Sequence, residues 1–189
     1  MEREKFNTWF TGLYLAACKA RHPNWNIKYN DIDKKYGCDI VADMLTVSTY
    51  GYAYLIATPP CNFYSKINYR YYRSKYAWQT INLLPLVLMK FAETDKPFIV
   101  ENVINRKKFE FLGIYKLCDY LGIFYQEVGR HTYFTNVKCD LSCEQHQDFR
   151  YGGYRVNTDG YNQGGSNVAA VIEKWLDFIC TNYDMVFLK

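Results

Sequence analysis

The stretch Pro97-Phe98-Ile99-Val100-Glu101-Asn102-Val103 opens on an unbroken apolar run and turns polar at a carboxylic acid. Apolar residues in sequence without alternation predict a strand buried on both faces, as in parallel sheets covered by helices. A second such run, residues 52–58, is stopped by Pro59-Pro60, which supply no backbone donors. Around these two, residues 27–29 and 39–42 read as short strands ending near acidic positions, and 123–128 and 132–137 as two more. Residues 74–92 place Trp78, Ile81, Leu84, Leu88 and Phe91 on one helical face. Ser74 is the expected N-cap there, and Pro85 is expected to kink or split the helix. A short helix is expected within 112–122 and mostly loop over 138–167. Val168, Val171, Ile172, Trp175, Leu176 and Ile179 mark an amphipathic terminal helix. Near the start, Phe6, Trp9, Phe10, Leu13 and Ala17 fit a helix while Phe6, Thr8 and Phe10 fit a strand, and periodicity leaves both open. Strands alternating with helices predict an α/β fold with a mostly parallel sheet flanked by helices.

The 189 residues suit a single domain, 1–189. Hydrophobic residues make up 49% and charged residues 22%, enough for a packed core and against wholesale disorder. Aromatics reach 19%, with 19 Tyr and 12 Phe. An AT-rich coding sequence accounts for such an excess, and so does a surface that stacks on bases. A net charge of +4 falls short of a purely electrostatic nucleic-acid binder. Basic residues do cluster at Lys66, Arg70, Arg73 and Lys75, interleaved with Tyr69, Tyr71, Tyr72 and Tyr76, and again at Arg106, Lys107 and Lys108. The seven cysteines are odd in number, and neither a signal peptide nor an apolar run of membrane length stands out. A reducing cytoplasm is the expected location.

Chemistry concentrates where the two apolar runs end. Ala57-Thr58-Pro59-Pro60-Cys61 presents a thiol at the carboxyl end of a strand, on a loop stiffened by two prolines. In open α/β sheets, ligands sit just beyond such ends. Alone, each residue has an ordinary explanation: a buried structural cysteine for Cys61, a cap or ion pair for Glu101. Two strand ends supplying a thiol and a carboxyl together make a reactive pair. Cys139, Cys143 and His146 have no evident fourth partner for zinc, so no metal is expected.

Taken together, Pro59-Pro60-Cys61 and Glu101-Asn102-Val103 resemble the nucleophile loop and the Glu-Asn-Val strand end of the cytosine-5 DNA methyltransferases, in the same order. Phe10-Thr11-Gly12-Leu13 is similar to the family's first loop, Asn30-Asp31-Ile32-Asp33 to its ribose-binding turn and Ala42-Asp43-Met44 to its segment near the adenine. Gly129-Arg130-His131-Thr132-Tyr133 stands where an arginine-bearing strand is found, and Gln163-Gly164-Gly165-Ser166-Asn167 resembles the late Gln-x-Gly-Asn motif. The resemblance covers about residues 8–175 and is nearest to short, phage-type members.

It implies a methyltransferase-like, Rossmann-type sheet, S-adenosylmethionine as methyl donor and DNA as substrate. Cys61, Glu101, Asn102 and Arg130 become the catalytic set, and Phe10, Gly12, Asp31, Asp43, Pro59 and Asn167 the donor-binding set. Ser65, Lys66, Arg70 and Arg73 become DNA contacts. Residues 138–162 are all that corresponds to a target-recognition region. Tyr14 and Leu15 replace glycines of the first loop, Asn62 replaces a glutamine, and a second arginine is missing. These departures leave an alternative, a worn methyltransferase fold that grips DNA or a protein partner without turnover. A cysteine hydrolase is disfavoured, because His22, His131 and His146 have no recognisable setting as its base.

Overall fold

Three buried residues, Leu55-Ile56-Ala57, form the strand that organises the sheet. The computed structural model describes residues 7–9, 22–34, 37–65, 82–142 and 164–187. The strands are β1 (Asn7–Trp9), β2 (Lys28–Asp31), β3 (Ile40–Val41), β4 (Leu55–Ala57), β5 (Phe98–Val103), β6 (Phe124–Val128) and β7 (His131–Thr135). They make one seven-stranded sheet in the order β3-β2-β1-β4-β5-β7-β6. Pairings from β3 to β5 are parallel, and β7 runs antiparallel to both β5 and β6. This is the expected α/β, Rossmann-type, mostly parallel sheet. Its order reverses at β1, which has β2 on one side and β4 on the other, and such a switch point is where ligands bind in doubly wound folds.

The helices are α1 (Leu83–Ala92), α2 (Arg106–Phe111), α3 (Ile114–Leu121) and α4 (Gly164–Phe187). One face of the sheet is covered by α4, where Val171, Ile172, Trp175, Leu176 and Ile179 pack on Ile56, Ile99 and Tyr133. The other face packs Leu84, Val87, Leu88 and Phe91 of α1, with Phe109, Ile114 and Cys118 of α2 and α3, against Leu55, Ala57, Val100 and Phe134. Burial on both faces explains the unbroken apolar runs of β4 and β5.

Local chemistry sets the ends. Asn105 caps α2 by accepting a hydrogen bond from the Lys108 amide at 3.3 Å. Gly122 stops α3 in a left-handed conformation, φ 67°. Gly129, at φ 62°, turns the two-residue β6–β7 connection, a geometry that glycine adopts without strain.

Pro85 lies in the first turn of α1, which starts at Leu83, where backbone donors have no helical partner; Trp78 and Ile81 of the expected helix face lie outside the described residues. Two differences from expectation stand out. Residues 106–111 form an unexpected helix, α2. The terminal helix begins at Gly164, inside the stretch expected to be loop. The N-terminal ambiguity resolves as strand at residues 7–9. Ser74, and residues 143–162 of the expected recognition insert, lie outside the described residues; residues 138–142 are irregular. Among the described residues no helix is long and apolar enough to cross a membrane.

Candidate active site

The site grows from the end of β4. The β4–β5 register pairs Ala57 with Val100, and extending it by two brings Pro59 level with Asn102. Proline cannot donate to a ladder, and here a side chain bonds to its carbonyl instead: Asn102 Nδ2 donates to Pro59 O at 3.1 Å. Asn102 Oδ1 accepts from the Val103 amide at 2.9 Å, so both ends of the buried carboxamide are used. Past Pro60 the chain winds into a short 3-10 turn, Cys61–Phe63, with the Tyr64 and Ser65 amides donating to Cys61 O at 2.9 and 2.8 Å.

The loop is fastened from below as well. Tyr64 is buried, its hydroxyl donates to Asn82 Oδ1 at 2.5 Å, and burial pushes its pKa up to about 12. Asn105 Nδ2 donates to Tyr64 O at 2.7 Å. Lys108 donates to Phe63 O and lies over the Phe63 ring, 5.0 Å from its centroid. Sequence reading found none of these supports: Lys108 stands out only as part of a basic cluster, and Asn82 and Asn105 carry no local signal.

Cys61 is half-buried. Burial pushes its thiol above the ordinary range, the Glu101 carboxylate adds to that push, and a backbone hydrogen bond opposes both. Cys61 follows β4 and Glu101 belongs to β5, so the two stand on neighbouring strands. Glu101 is buried and its Oε1 pairs with His131 Nδ1. Sequence reading missed His131 too. The available signal was strand alternation, which sets His131 and Tyr133 on one face of β7.

The other expected residues are placed as follows. Asp31 ends β2; its Oδ1 accepts from the Asp33 amide and its Oδ2 from the Tyr29 hydroxyl, both at 2.9 Å. Asp43 follows β3, is exposed and accepts from the Leu45 amide at 2.9 Å. Its loop is held by Lys90 of α1, whose Nζ donates to the carbonyls of Met44, Leu45 and Val47 at 2.7, 2.9 and 2.6 Å. Asp31, Asp43, Pro59 and Cys61 thus lie at or just past the carboxyl ends of β2, β3 and β4, on the ligand side of a parallel sheet. Arg130 occupies the β6–β7 turn with an exposed side chain, and its carbonyl accepts from the Ile104 amide at 2.9 Å. Ser65 is half-buried behind Cys61. Asn167 lies in the first turn of α4, and its side chain is outside the described set. Phe10, Gly12, Lys66, Arg70 and Arg73 lie outside the described residues, as do Cys143 and His146.

No family model matches this chain, and no curated protein matches it. Among solved structures it is similar to a mutant of DNMT2 from Spodoptera frugiperda. The identity is 13%, the TM-score 0.41, and the match covers 70% of this chain and 49% of that one. The chain thus spans about half the length of that neighbour.

Proposed function

We propose that the protein is an S-adenosylmethionine-dependent methyltransferase acting on carbon 5 of cytosine in DNA, with Cys61 as nucleophile. The observation that carries the reading is the Asn102–Pro59 bond, which ties the Cys61 loop to the strand that bears Glu101. A thiol just past one strand end and a carboxyl on the neighbouring strand suit attack on a flat, electron-poor ring.

The residues that follow β2 and β3 suit the methyl donor. An ionised carboxylate has about four acceptor positions. Asp31 uses two of them within the protein, leaving capacity for hydroxyl donors such as those of a ribose. Asp43 is exposed at the neighbouring strand end and retains acceptor capacity. When bound, S-adenosylmethionine supplies an electrophilic methyl group.

The chain's own residues perform the rest. Cys61 gives its proton to solvent as its sulfur bonds to carbon 6 of the pyrimidine, with the ring's electron pair moving toward carbon 5. Glu101, as the acid, donates to the ring nitrogen and accepts from the exocyclic amine, which stabilises the charge that develops. After methyl transfer, carbon 5 gives its proton to solvent, the freed pair re-forms the ring double bond, Cys61 leaves as thiolate and is reprotonated, and Glu101 regains the proton lent to the ring. Covalent addition splits one hard substitution into easier steps. Asn102 holds the loop while sulfur moves on and off the ring, and Arg130 assists Glu101 or the base. Reaching an unstacked cytosine costs a few kcal/mol in a duplex and little in a single strand. Ser65, Lys66, Arg70 and Arg73 contact the DNA strand, and masking phage DNA from restriction is the role the resemblance implies.

The test is methyl transfer from labelled S-adenosylmethionine to DNA, alongside trapping of a covalent adduct on DNA containing 5-fluorocytosine. Wild-type protein should do both and Cys61→Ala neither. Folded wild type that transfers no label and traps no DNA refutes the enzyme; if it still binds DNA, the turnover-free binding module takes its place.

A further inference from the structure

Among the described ion pairs, Arg106–Glu127 and Lys174–Asp140 each involve a well-exposed partner, and His22–Glu173 joins residue 22 to α4. The pair of His131 with Glu101 is the one at the candidate site. Glu101 stands opposite Tyr133 in the β5–β7 register, and Val103 opposite His131. His131 is therefore the diagonal cross-strand neighbour of Glu101 on the same face, within reach of a long side chain. Its ring nitrogen Nδ1 meets Glu101 Oε1, and the two side chains are only 20% and 12% exposed.

We propose that His131 is a positioning residue for Glu101: it anchors Oε1, which keeps a second lone pair, and so aims the carboxyl group at the ring nitrogen and exocyclic amine of a pyrimidine. The inference rests on the methyltransferase reading. An unanchored Glu side chain must give up its rotamer freedom when the base arrives, and a carboxyl already held by a cross-strand partner has lost it in advance. An imidazole N–H directed at a carboxyl oxygen is also a strong hydrogen bond when the ring is charged. His131 transfers no proton in this scheme, because the proton exchanged with the ring belongs to Glu101.

Two measurements on the full chain test it. The first is the ring nitrogen-15 signals of His131, assigned among three histidines with His131→Asn. Glu101→Gln should shift the Nδ1 signal of residue 131, and an unmoved signal overturns the pairing. The second is steady-state methyl transfer. His131→Phe should lower kcat about 10- to 100-fold, the scale of a misplaced reacting group, while KM for S-adenosylmethionine stays within about twofold. His131→Asn, whose amide can donate to the same oxygen, should recover most of the loss. Active wild type with His131→Phe at full kcat overturns positioning alone. Wild type without methyl transfer brings down the methyltransferase reading itself, and a shifted Nδ1 signal then marks a merely structural pair.

Discussion

At the scale of single residues, Cys61 rests in the less reactive of its two forms. Burial and the Glu101 charge both hold its thiol protonated above the ordinary cysteine range, so little thiolate is present near neutral pH. The sign of the pH dependence follows. Alkylation of Cys61 by iodoacetamide should climb with pH, and its midpoint should lie above that of a free cysteine. Glu101→Gln removes one of the two causes, which lowers the midpoint and speeds alkylation at a fixed pH of about 8.5, near the free-thiol pKa. Peptide-resolved mass spectrometry separates Cys61 from the other cysteines. A midpoint that stays put in Glu101→Gln denies that sulfur and carboxyl share a site. The same residue sets the demand on catalysis, because the proton must leave as the base binds rather than before.

At the scale of elements, the join between β4 and β5 decides whether that chemistry is held in place. Asn102→Ala deletes the donor to Pro59 O and the acceptor for the Val103 amide in a buried setting. Unsatisfied buried groups cost about 1–3 kcal/mol, so the urea midpoint should fall accordingly, and adduct formation should fall further than stability because the Cys61 loop is freed. Both are measured on one preparation; a large stability loss with unchanged adduct rate puts Asn102 in the framework alone. The sequence made this join half visible. The apolar runs of β4 and β5 stop at proline and at glutamate, so Cys61 and Glu101 could be read as strand-end residues. His131 could not, because it meets Glu101 across 30 residues of chain through an antiparallel register that single-sequence patterns do not contain. Helix α2 stayed hidden for another reason: it has six residues and a single buried one, Phe109, which is too little periodicity to see. Pro85 fits α1 because, two residues after its first residue Leu83, it occupies a position where no helical hydrogen bond is lost.

At the scale of the whole molecule, α4 shares a buried cluster with β2, β4, β5 and β7. It covers the face of the sheet on which Ile56, Ile99 and Tyr133 lie, and its Trp175 is fully buried there. The indole Nε1 donates to Thr135 Oγ1 at 3.0 Å, and Thr135 shares a face of β7 with Tyr133 and His131. The same helix receives His22 through Glu173, which is almost fully buried. One element thereby bridges residue 22, six positions ahead of β2, to the hairpin that carries His131. Two substitutions separate the packing of Trp175 from its hydrogen bond. Trp175→Phe keeps the six-membered ring and loses the donor; the Thr135 hydroxyl still accepts from the Val137 amide at 3.1 Å, so stability should drop by only about 1 kcal/mol. Trp175→Ala opens a cavity under β5 and β7 and should cost about 3–5 kcal/mol, a large share of a domain's total stability. Urea unfolding followed by circular dichroism gives both values. Equal losses in the two variants would show that the hydrogen bond rather than the ring volume fastens α4, and a negligible loss in both would contradict its place in the core.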